Sequence, residues 1–204
     1  MTLSEFDNEI RKDYNVVCGC DEAGRGPLAG DVFAAAVIFD KDTVIEGIND
    51  SKKLTAKKRE ELFDEIMEKA VDFSIQTATV EEIEDINILN AAMLAMKRAV
   101  EDMDTKPDVC LIDGNKTPEG LECPAIAVVN GDAKSQAVAA ASILAKVARD
   151  RYMEQMAEQY PEYRFEKHKG YGTKLHYQMI DQYGPCGIHR MSFLKKYYAK
   201  KNGH

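Results

Sequence analysis

The stretch that decides the fold is residues 14–39, YNVVCGCDEAGRGPLAGDVFAAAVIF, in which two apolar segments flank a connection rich in glycine. Residues 14–20 and 31–39 each carry the short apolar run that is typical of a buried strand. Glycine and proline between them favour a turn or an irregular loop. The stretch therefore predicts two strands, with the acidic pair Asp21 and Glu22 at the point where the first strand ends.

Helical and strand patterns alternate through the rest of the chain. Apolar residues at helical spacing predict helices over 55–69, 80–88, 89–103 and 133–160. Short apolar or alternating runs predict strands over 71–79, 109–113 and 125–129. One short helix within 162–187 and a basic helix over 193–201 complete the chain. The interleaving predicts an α/β fold in a single domain, with a core of about 14–160 and a basic helical C-terminal portion of about 161–204.

Two acidic positions follow apolar segments directly. Asp21 and Glu22 come after the first strand, and because adjacent strand residues face opposite ways, the chain must bend for both to serve one site. The neighbouring glycines permit that bend. Asp113 ends the segment 109–113, and ligands of α/β sheets bind at the carboxyl ends of strands. At both positions a solvated turn explains the residues equally well.

Asp132 stands immediately before the long predicted helix. Aspartate is a preferred N-cap, a role that stabilises a helix by about 0.5–2 kcal/mol, and taken alone Asp132 is better explained as a cap. It can also serve a metal. With Asp21, Glu22 and Asp113 it makes four carboxylates at the ends of elements. Such oxygen ligands suit Mg²⁺ or Mn²⁺, and two such ions can promote phosphodiester hydrolysis.

The charge is distributed unevenly. The chain has a formal net charge of −8, yet residues 164–204 contain nine Lys and Arg against two acidic residues. That leaves 18 basic and 33 acidic residues in 1–163. A basic segment beside an acidic pocket suits a nuclease that uses metal ions, because cations neutralise phosphates. Its expected phosphate contacts are Lys167, Lys169, Lys174 and Arg190. A solvated basic surface is the alternative. His168, His176 and His189 of this segment are interpreted as phosphate-facing or structural.

The N-terminal residues are polar, and no apolar run is long enough to cross a bilayer. The five cysteines are odd in number and lack the C-x-x-C spacing of zinc or redox sites. Both features predict a cytoplasmic protein with plain thiols.

Five motifs then follow one another along the chain. They are DEAGRGPLAG (21–30), DSKKL (50–54), LIDGN (111–115), GDAKS (131–135) with AAASILAKV (139–147), and HKGYGT (168–173). In this order, and over about residues 14–193, the chain resembles bacterial ribonuclease HII of the type 2 ribonuclease H family. The resemblance implies an RNase H-like fold with a mixed central sheet flanked by helices.

The resemblance also implies an activity and its residues. The expected enzyme is an endonuclease that hydrolyses the RNA strand of RNA–DNA hybrids and cuts at single ribonucleotides in duplex DNA, leaving 5′-phosphate and 3′-hydroxyl ends. Two ions of Mn²⁺ or Mg²⁺ would be its cofactors, hybrid duplex and ribonucleotide-containing DNA its partners, and a monomer its state. The implied catalytic and metal-binding residues are Asp21, Glu22, Asp113 and Asp132. The implied substrate-binding residues are Gly24, Arg25 and Gly26 at the ribose 2′-OH, Tyr171 stacked on a sugar, and Lys52, Lys134 and Ser135 at phosphates.

Two alternatives make different demands on the residues. Another nuclease of the RNase H fold, such as a junction resolvase, would share the acids but would not need Gly24-Arg25-Gly26 or Tyr171. A non-catalytic nucleic-acid binding module would use the acids only as caps and turns. Ribonuclease HIII fits less well, since its first motif differs at the position of Arg25 and it carries an extra N-terminal domain.

Overall fold

The computed structural model describes residues 1–48, 51 and 54–202, and in this part of the chain five strands form one mixed sheet. The strands are β1 (Val17–Ala23), β2 (Val32–Ile38), β3 (Asp72–Ala78), β4 (Val109–Asp113) and β5 (Ala125–Val128). Their order across the sheet is β3-β2-β1-β4-β5. The pairs β1–β2 and β2–β3 are antiparallel, whereas β4 lies parallel to β1 and to β5.

Helices flank this sheet and form the C-terminal portion. They are α1 (Leu3–Ile10), α2 (Ala56–Lys69), α3 (Val80–Glu101), α4 (Gln136–Gln159), α5 (Phe165–His168), α6 (Lys174–Tyr183) and α7 (Met191–Asn202). Short 3-10 turns lie at Gly131–Ala133 and Pro161–Tyr163. None of the helices in the described residues has the length and apolarity that a membrane span requires. The predicted α/β fold, a mixed sheet flanked by helices, is confirmed.

The two faces of the sheet are covered by different helices. Ala34 and Ala36 of β2 pack with α3 on one face, whereas Ala35 and Val37 pack with α2 and α4 on the other. This alternation follows from the two-residue period of a strand. At Gly19 of β1, a Cβ atom would overlap the backbone at the start of α4. The N-terminal end of α4 therefore rests directly on the central strand.

The first strand differs from its predicted bounds. The sequence predicted a strand over 14–20 with the acidic pair beyond it, but β1 begins at Val17 and continues to Ala23. Its antiparallel ladder with β2 pairs Asp21 with Ala35 and Glu22 with Ala34. The prediction was wrong because the apolar run of the strand ends before its backbone pairing does.

Two helix boundaries are set by side-chain caps. Helix α3 covers the two predicted helices, and it breaks at Asn87 (φ 66°, ψ 163°), whose side chain accepts hydrogen bonds from the N–H groups of Leu89 and Asn90. The predicted boundary between the two helices is therefore a real break. Helix α4 begins at Gln136 rather than 133, because its N-cap is Ser135.

The C-terminal portion is hydrogen-bonded to the loop between β1 and β2. The N–H of Leu28 donates to the carbonyl of Gly170 (2.8 Å), and the N–H of Gly30 donates to that of Ile188 (2.8 Å). Two short helices, α5 and α6, stand where one was predicted, and the predicted final basic helix is present as α7. The loop that follows Asp21 and Glu22 is thus held in place by hydrogen bonds to the C-terminal portion.

Candidate active site

Asp21 and Glu22 lie side by side in β1. Asp21 is 5% exposed, and its Oδ1 accepts a hydrogen bond from the N–H of Glu22 (2.7 Å). Oε1 of Glu22 lies 3.2 Å from the guanidinium of Arg25, which is half exposed. The expected bend is absent at the pair itself, since the ladder with β2 continues to Ala23. The chain turns at Gly24, whose φ of 102° favours glycine.

Asp113 is the last residue of β4, beside β1. The parallel register pairs Cys20 with Ile112, so Asp113 comes one residue after the last matched pair, as Asp21 does on β1. Oδ1 of Asp113 accepts a hydrogen bond from the N–H of Gly131 (2.6 Å). That bond ties the carboxylate to the 3-10 turn before α4.

Asp132 belongs to that turn and is 7% exposed. It does not cap the long helix, because the N-cap is Ser135, whose hydroxyl accepts a hydrogen bond from the N–H of Val138 (3.2 Å). The interpretation of Asp132 as the cap of α4 was therefore wrong. The turn that carries Asp132 is held against Asp113 through Gly131.

The carboxylates of Asp21, Glu22 and Asp113, with Asp132 in the turn beside them, are here called the acidic edge. Their electrostatics favour a bound cation. Burial raises the pKa of Asp21 well above its ordinary value, and the charges of Glu22 and Asp113 raise it further. A side-chain hydrogen bond with Ser142 and the N–H of Glu22 act in the opposite direction. Buried carboxylates that repel one another are stabilised by a bound divalent ion.

Carboxylate oxygens are the donors that Mg²⁺ and Mn²⁺ prefer, so the chemistry of this edge fits such ions. Within the described residues, no three His, Cys, Asp or Glu side chains are grouped closely enough to hold a metal as they stand.

An open cleft of about 520 Å³ adjoins the acidic edge. Its lining includes Glu22, Gly24, Arg25, Gly26 and Tyr171, which come from two distant segments of the chain. Tyr171 is 42% exposed, and a Cβ at Gly26 would lie 3.8 Å from the edge of its ring. The cleft thus brings together one predicted catalytic carboxylate and the residues predicted to recognise the sugar.

The three phosphate contacts that the resemblance implied have different positions. The ammonium of Lys134, an exposed residue, donates to the carbonyl of Val129 (2.6 Å). The side chain of Ser135 is fully buried and serves as the N-cap of α4, so the prediction that Ser135 contacts phosphate does not fit its position. Lys52 lies outside the described residues.

Two buried arginines, whose role the sequence patterns did not indicate, support the cleft. The guanidinium of Arg190 is fully buried and donates to the carbonyls of Gly24, Arg25, Pro27 and Gly30 at 2.6–3.2 Å. Arg149 of α4, also buried, donates to the carbonyls of Ala29, Asp31 and Lys169 at 3.1–3.2 Å. The available signal for Arg149 was a charged residue within an alanine-rich helix, whereas Arg190 was expected to contact phosphate because it lies in a basic segment, and its burial contradicts that expectation.

Known proteins are similar to this chain in sequence and in fold. The family model of ribonuclease HII matches residues 18–196. Ribonuclease HII of Caldicellulosiruptor saccharolyticus is 54% identical over 189 residues, which cover 93% of this chain and 92% of that protein. Ribonuclease HII of Idiomarina loihiensis is 58% identical over 178 residues, which cover 87% of this chain and 95% of that protein.

The chain belongs to the ribonuclease HII family. It is a ribonuclease H-type endonuclease, of the hydrolase class that acts on the RNA of RNA–DNA hybrids. This family membership confirms the resemblance carried by the five motifs.

Solved structures agree with the assignment to the ribonuclease HII family. The structure of ribonuclease H2 from Pyrococcus horikoshii superposes with a TM-score of 0.72 at 29% identity, covering 87% of this chain and 93% of that one. Bst-RNase HIII in complex with Mn²⁺ superposes with a TM-score of 0.66 at 17% identity, covering 83% of this chain and 63% of that one. At that identity the second likeness shows the fold alone.

Proposed function

We propose that this ribonuclease HII family member cuts single ribonucleotides embedded in duplex DNA as well as the RNA strand of hybrids, leaving 5′-phosphate and 3′-hydroxyl ends. The observation that carries the proposal is the cleft that joins Glu22, the Gly24-Arg25-Gly26 loop and Tyr171. A site that reads one sugar needs more than one contact to it, and the cleft offers the loop together with an exposed aromatic ring beside Gly26.

The proposed cofactors are two divalent ions, Mn²⁺ or Mg²⁺, held by Asp21, Glu22, Asp113 and Asp132. When bound, such ions activate water and offset negative charge at the scissile phosphate. The residues themselves hold the site: the backbone N–H groups of Glu22 and Gly131 fix one oxygen of Asp21 and one of Asp113. Burial and mutual repulsion of the acids support this role, because both are relieved by bound cations.

The proposed reader of the 2′-hydroxyl is the backbone of Gly24-Arg25-Gly26. Arg190 supports this loop from inside the protein by donating to the carbonyls of Gly24 and Arg25. A Cβ at Gly24 would overlap the side chain of Arg149, so only glycine lets the loop lie this close to α4.

Tyr171 is the proposed stacking residue. Lys146 and Arg149 each place a cationic group 5.8 Å from the centre of its ring. Positive charge near the ring suits a substrate whose sugars are joined by phosphates. Since all the residues named for the cleft come from one chain, we further propose that the protein acts as a monomer.

The experiment that tests the proposal uses a duplex DNA with one internal ribonucleotide, a long RNA–DNA hybrid and an all-DNA duplex of the same sequence. Each is incubated with Mg²⁺ or Mn²⁺, and the products are sized and their ends identified. We expect cleavage of the first two substrates at ribonucleotides with 5′-phosphate products. Cleavage of the all-DNA duplex would favour a resolvase-type nuclease, and binding without cleavage would favour a non-catalytic module.

A further inference from the structure

A chain of hydrogen bonds runs through the buried layer behind Tyr171. The N–H of Cys186 lies 2.9 Å from Nδ1 of His189, and Nε2 of His189 lies 3.0 Å from Nε2 of His176. Nδ1 of His176 lies 3.0 Å from the carbonyl oxygen of Tyr171. The series therefore links the loop before His189 to the backbone of the residue whose ring faces the cleft.

The direction of each bond follows from the first donor. A backbone amide can only donate, so Nδ1 of His189 carries a lone pair and the neutral ring is protonated on Nε2. Nε2 of His189 then donates to Nε2 of His176. His176 must consequently carry its proton on Nδ1, from which it donates to the carbonyl of Tyr171. One pair of tautomers satisfies the whole series.

The surroundings keep both rings neutral. His176 is fully buried and His189 is 3% exposed. The ring of His168 stacks on that of His176 at 4.3 Å, and Phe165 meets His176 edge-on. Burial lowers the pKa of both His176 and His189 to about 4. A proton added to Nε2 of His176 would face the N–H of His189 and break the bond between the rings.

The backbone of Tyr171 is held on both sides by this layer. Its N–H donates to the carbonyl of His168 (2.8 Å), and its carbonyl accepts from His176 and from the N–H of Thr173 (2.8 Å). We infer that His176, fixed by His189, is a positioning residue that sets the Tyr171 ring for recognition of a single ribonucleotide. This inference rests on the proposed function, in which that ring contacts the substrate.

The test compares cleavage rates on a single-ribonucleotide duplex and on a long hybrid. A long hybrid offers many registers, so misplacing Tyr171 should matter less there. His176→Ala should lower the ratio of the two rates roughly 10-fold, the scale set by removing one buried hydrogen bond. In the Tyr171→Ala background the same change should lower the ratio no further, because a positioning residue acts only through the residue it positions.

Three variants control for general loosening of the C-terminal portion. His176→Asn places an amide N–H near the position of Nδ1 and should keep most of the ratio. His189→Asn can still accept from Cys186 but cannot reach His176, so it should lower the ratio as His176→Ala does. Tyr163→Phe removes a different hydrogen bond of this layer, to the carbonyl of Gly184 (2.7 Å), and should leave the ratio unchanged. An equal loss in Tyr163→Phe would overturn the inference.

The results separate the inference from the proposed function. A lowered ratio in Tyr171→Ala with none in His176→Ala would refute the positioning role alone. An unchanged ratio in Tyr171→Ala would refute the recognition role of Tyr171, and the inference with it. Nitrogen NMR of ¹⁵N-labelled histidine is independent of activity: we expect His176 protonated on Nδ1 and His189 on Nε2. Any other pair of tautomers would overturn the inference.

Discussion

The acidic edge and the C-terminal portion hold their charged groups in opposite ways. At the acidic edge, Asp21 is buried close enough to Glu22 and Asp113 for their charges to raise its pKa. In the C-terminal portion, the equally buried Arg190 is surrounded by backbone carbonyls that accept its hydrogen bonds. Burial disfavours the charged form in both places, since it raises the pKa of Asp21 and lowers that of Arg190 to about 9, but the hydrogen bonds of Arg190 offset part of this cost and satisfy buried carbonyls. Neutralising an acid of the acidic edge should therefore lower the cleavage rate. Replacing Arg190 should instead lower the free energy of unfolding.

The largest effect is expected from Asp113→Asn. A neutral amide is a poor ligand for hard cations, so the cleavage rate should fall by several orders of magnitude. The fold should persist, since an asparagine oxygen can still accept from Gly131. The measurement is kcat over a range of Mg²⁺ concentrations, with Asp64→Asn on the exposed side of α2 as the matched control. Near-normal turnover would show that Asp113 binds no metal.

Arg190→Met should instead act on stability. The substitution leaves the carbonyls of Gly24, Pro27 and Gly30 without their donor inside the protein, and the free energy of unfolding should fall by about 3–5 kcal/mol. Urea denaturation measures it, with Lys167→Met at an exposed position as the control. A loss below about 1 kcal/mol would show that the loop does not depend on this guanidinium.

The pKa values of the buried His176 and His189 predict how the free energy of unfolding depends on pH. The pKa of His176 and that of His189 are about 4 in the folded protein, against about 6.5 when unfolded. The unfolded state thus binds more protons between these values, so their stabilising contribution is complete above pH 6.5 and is lost as pH falls towards 4. At pH 5 the loss is on the order of 2 kcal/mol for each histidine.

The measurement is urea denaturation at pH 7 and pH 5, on the wild type and on a His176→Asn/His189→Asn variant. Buried Asp21 has a raised pKa and titrates in the opposite sense, so the difference between the two proteins is the relevant quantity. We expect the wild type to lose more stability than the variant. Equal losses would mean that both histidines can be protonated within the folded protein.

The smallest effect concerns the basic surface. Lys167 and Lys174 are exposed, whereas Lys169 pairs with Glu154. Replacing the two exposed lysines with glutamine should flatten the dependence of log K on log salt for hybrid binding by about 0.9 for each phosphate that is no longer neutralised. Glutamine at Lys57 and Lys58 of α2 is the control pair. An unchanged slope would place the exposed lysines away from the duplex.

Sequence reasoning succeeded where a side chain follows a local pattern. The strand that ends at Asp113 was predicted from its apolar run, and the helices were predicted from their apolar spacing. It failed where partners come from far along the chain. The strand β1 extends past its apolar run because β2 pairs with it, and this pairing places Asp21 and Glu22 inside the strand.

The burial of polar residues was the other feature that the sequence did not predict. Arg190 was predicted to contact phosphate because it belongs to a basic segment, yet it is fully buried and its acceptors lie about 160 residues earlier, at Gly24–Gly30. Ser135 was predicted to contact phosphate from its motif and instead caps α4. Nothing in the local sequence distinguishes a buried arginine or serine from an exposed one, because its partners are backbone carbonyls or the turn beside it.

The absence of a side chain at Gly19 affects the positions of two nearby acids, Asp21 and Asp132. Because β1 and the first turn of α4 touch backbone to backbone there, the helix cannot sit any lower on the sheet. The turn that carries Asp132 leads into that helix, and Asp21 lies two residues beyond the glycine on the strand. A side chain at Gly19 would push α4 away from β1, and it would move the turn that carries Asp132 away from Asp21. The separation of these two carboxylates thus depends on a residue that has no reactive group.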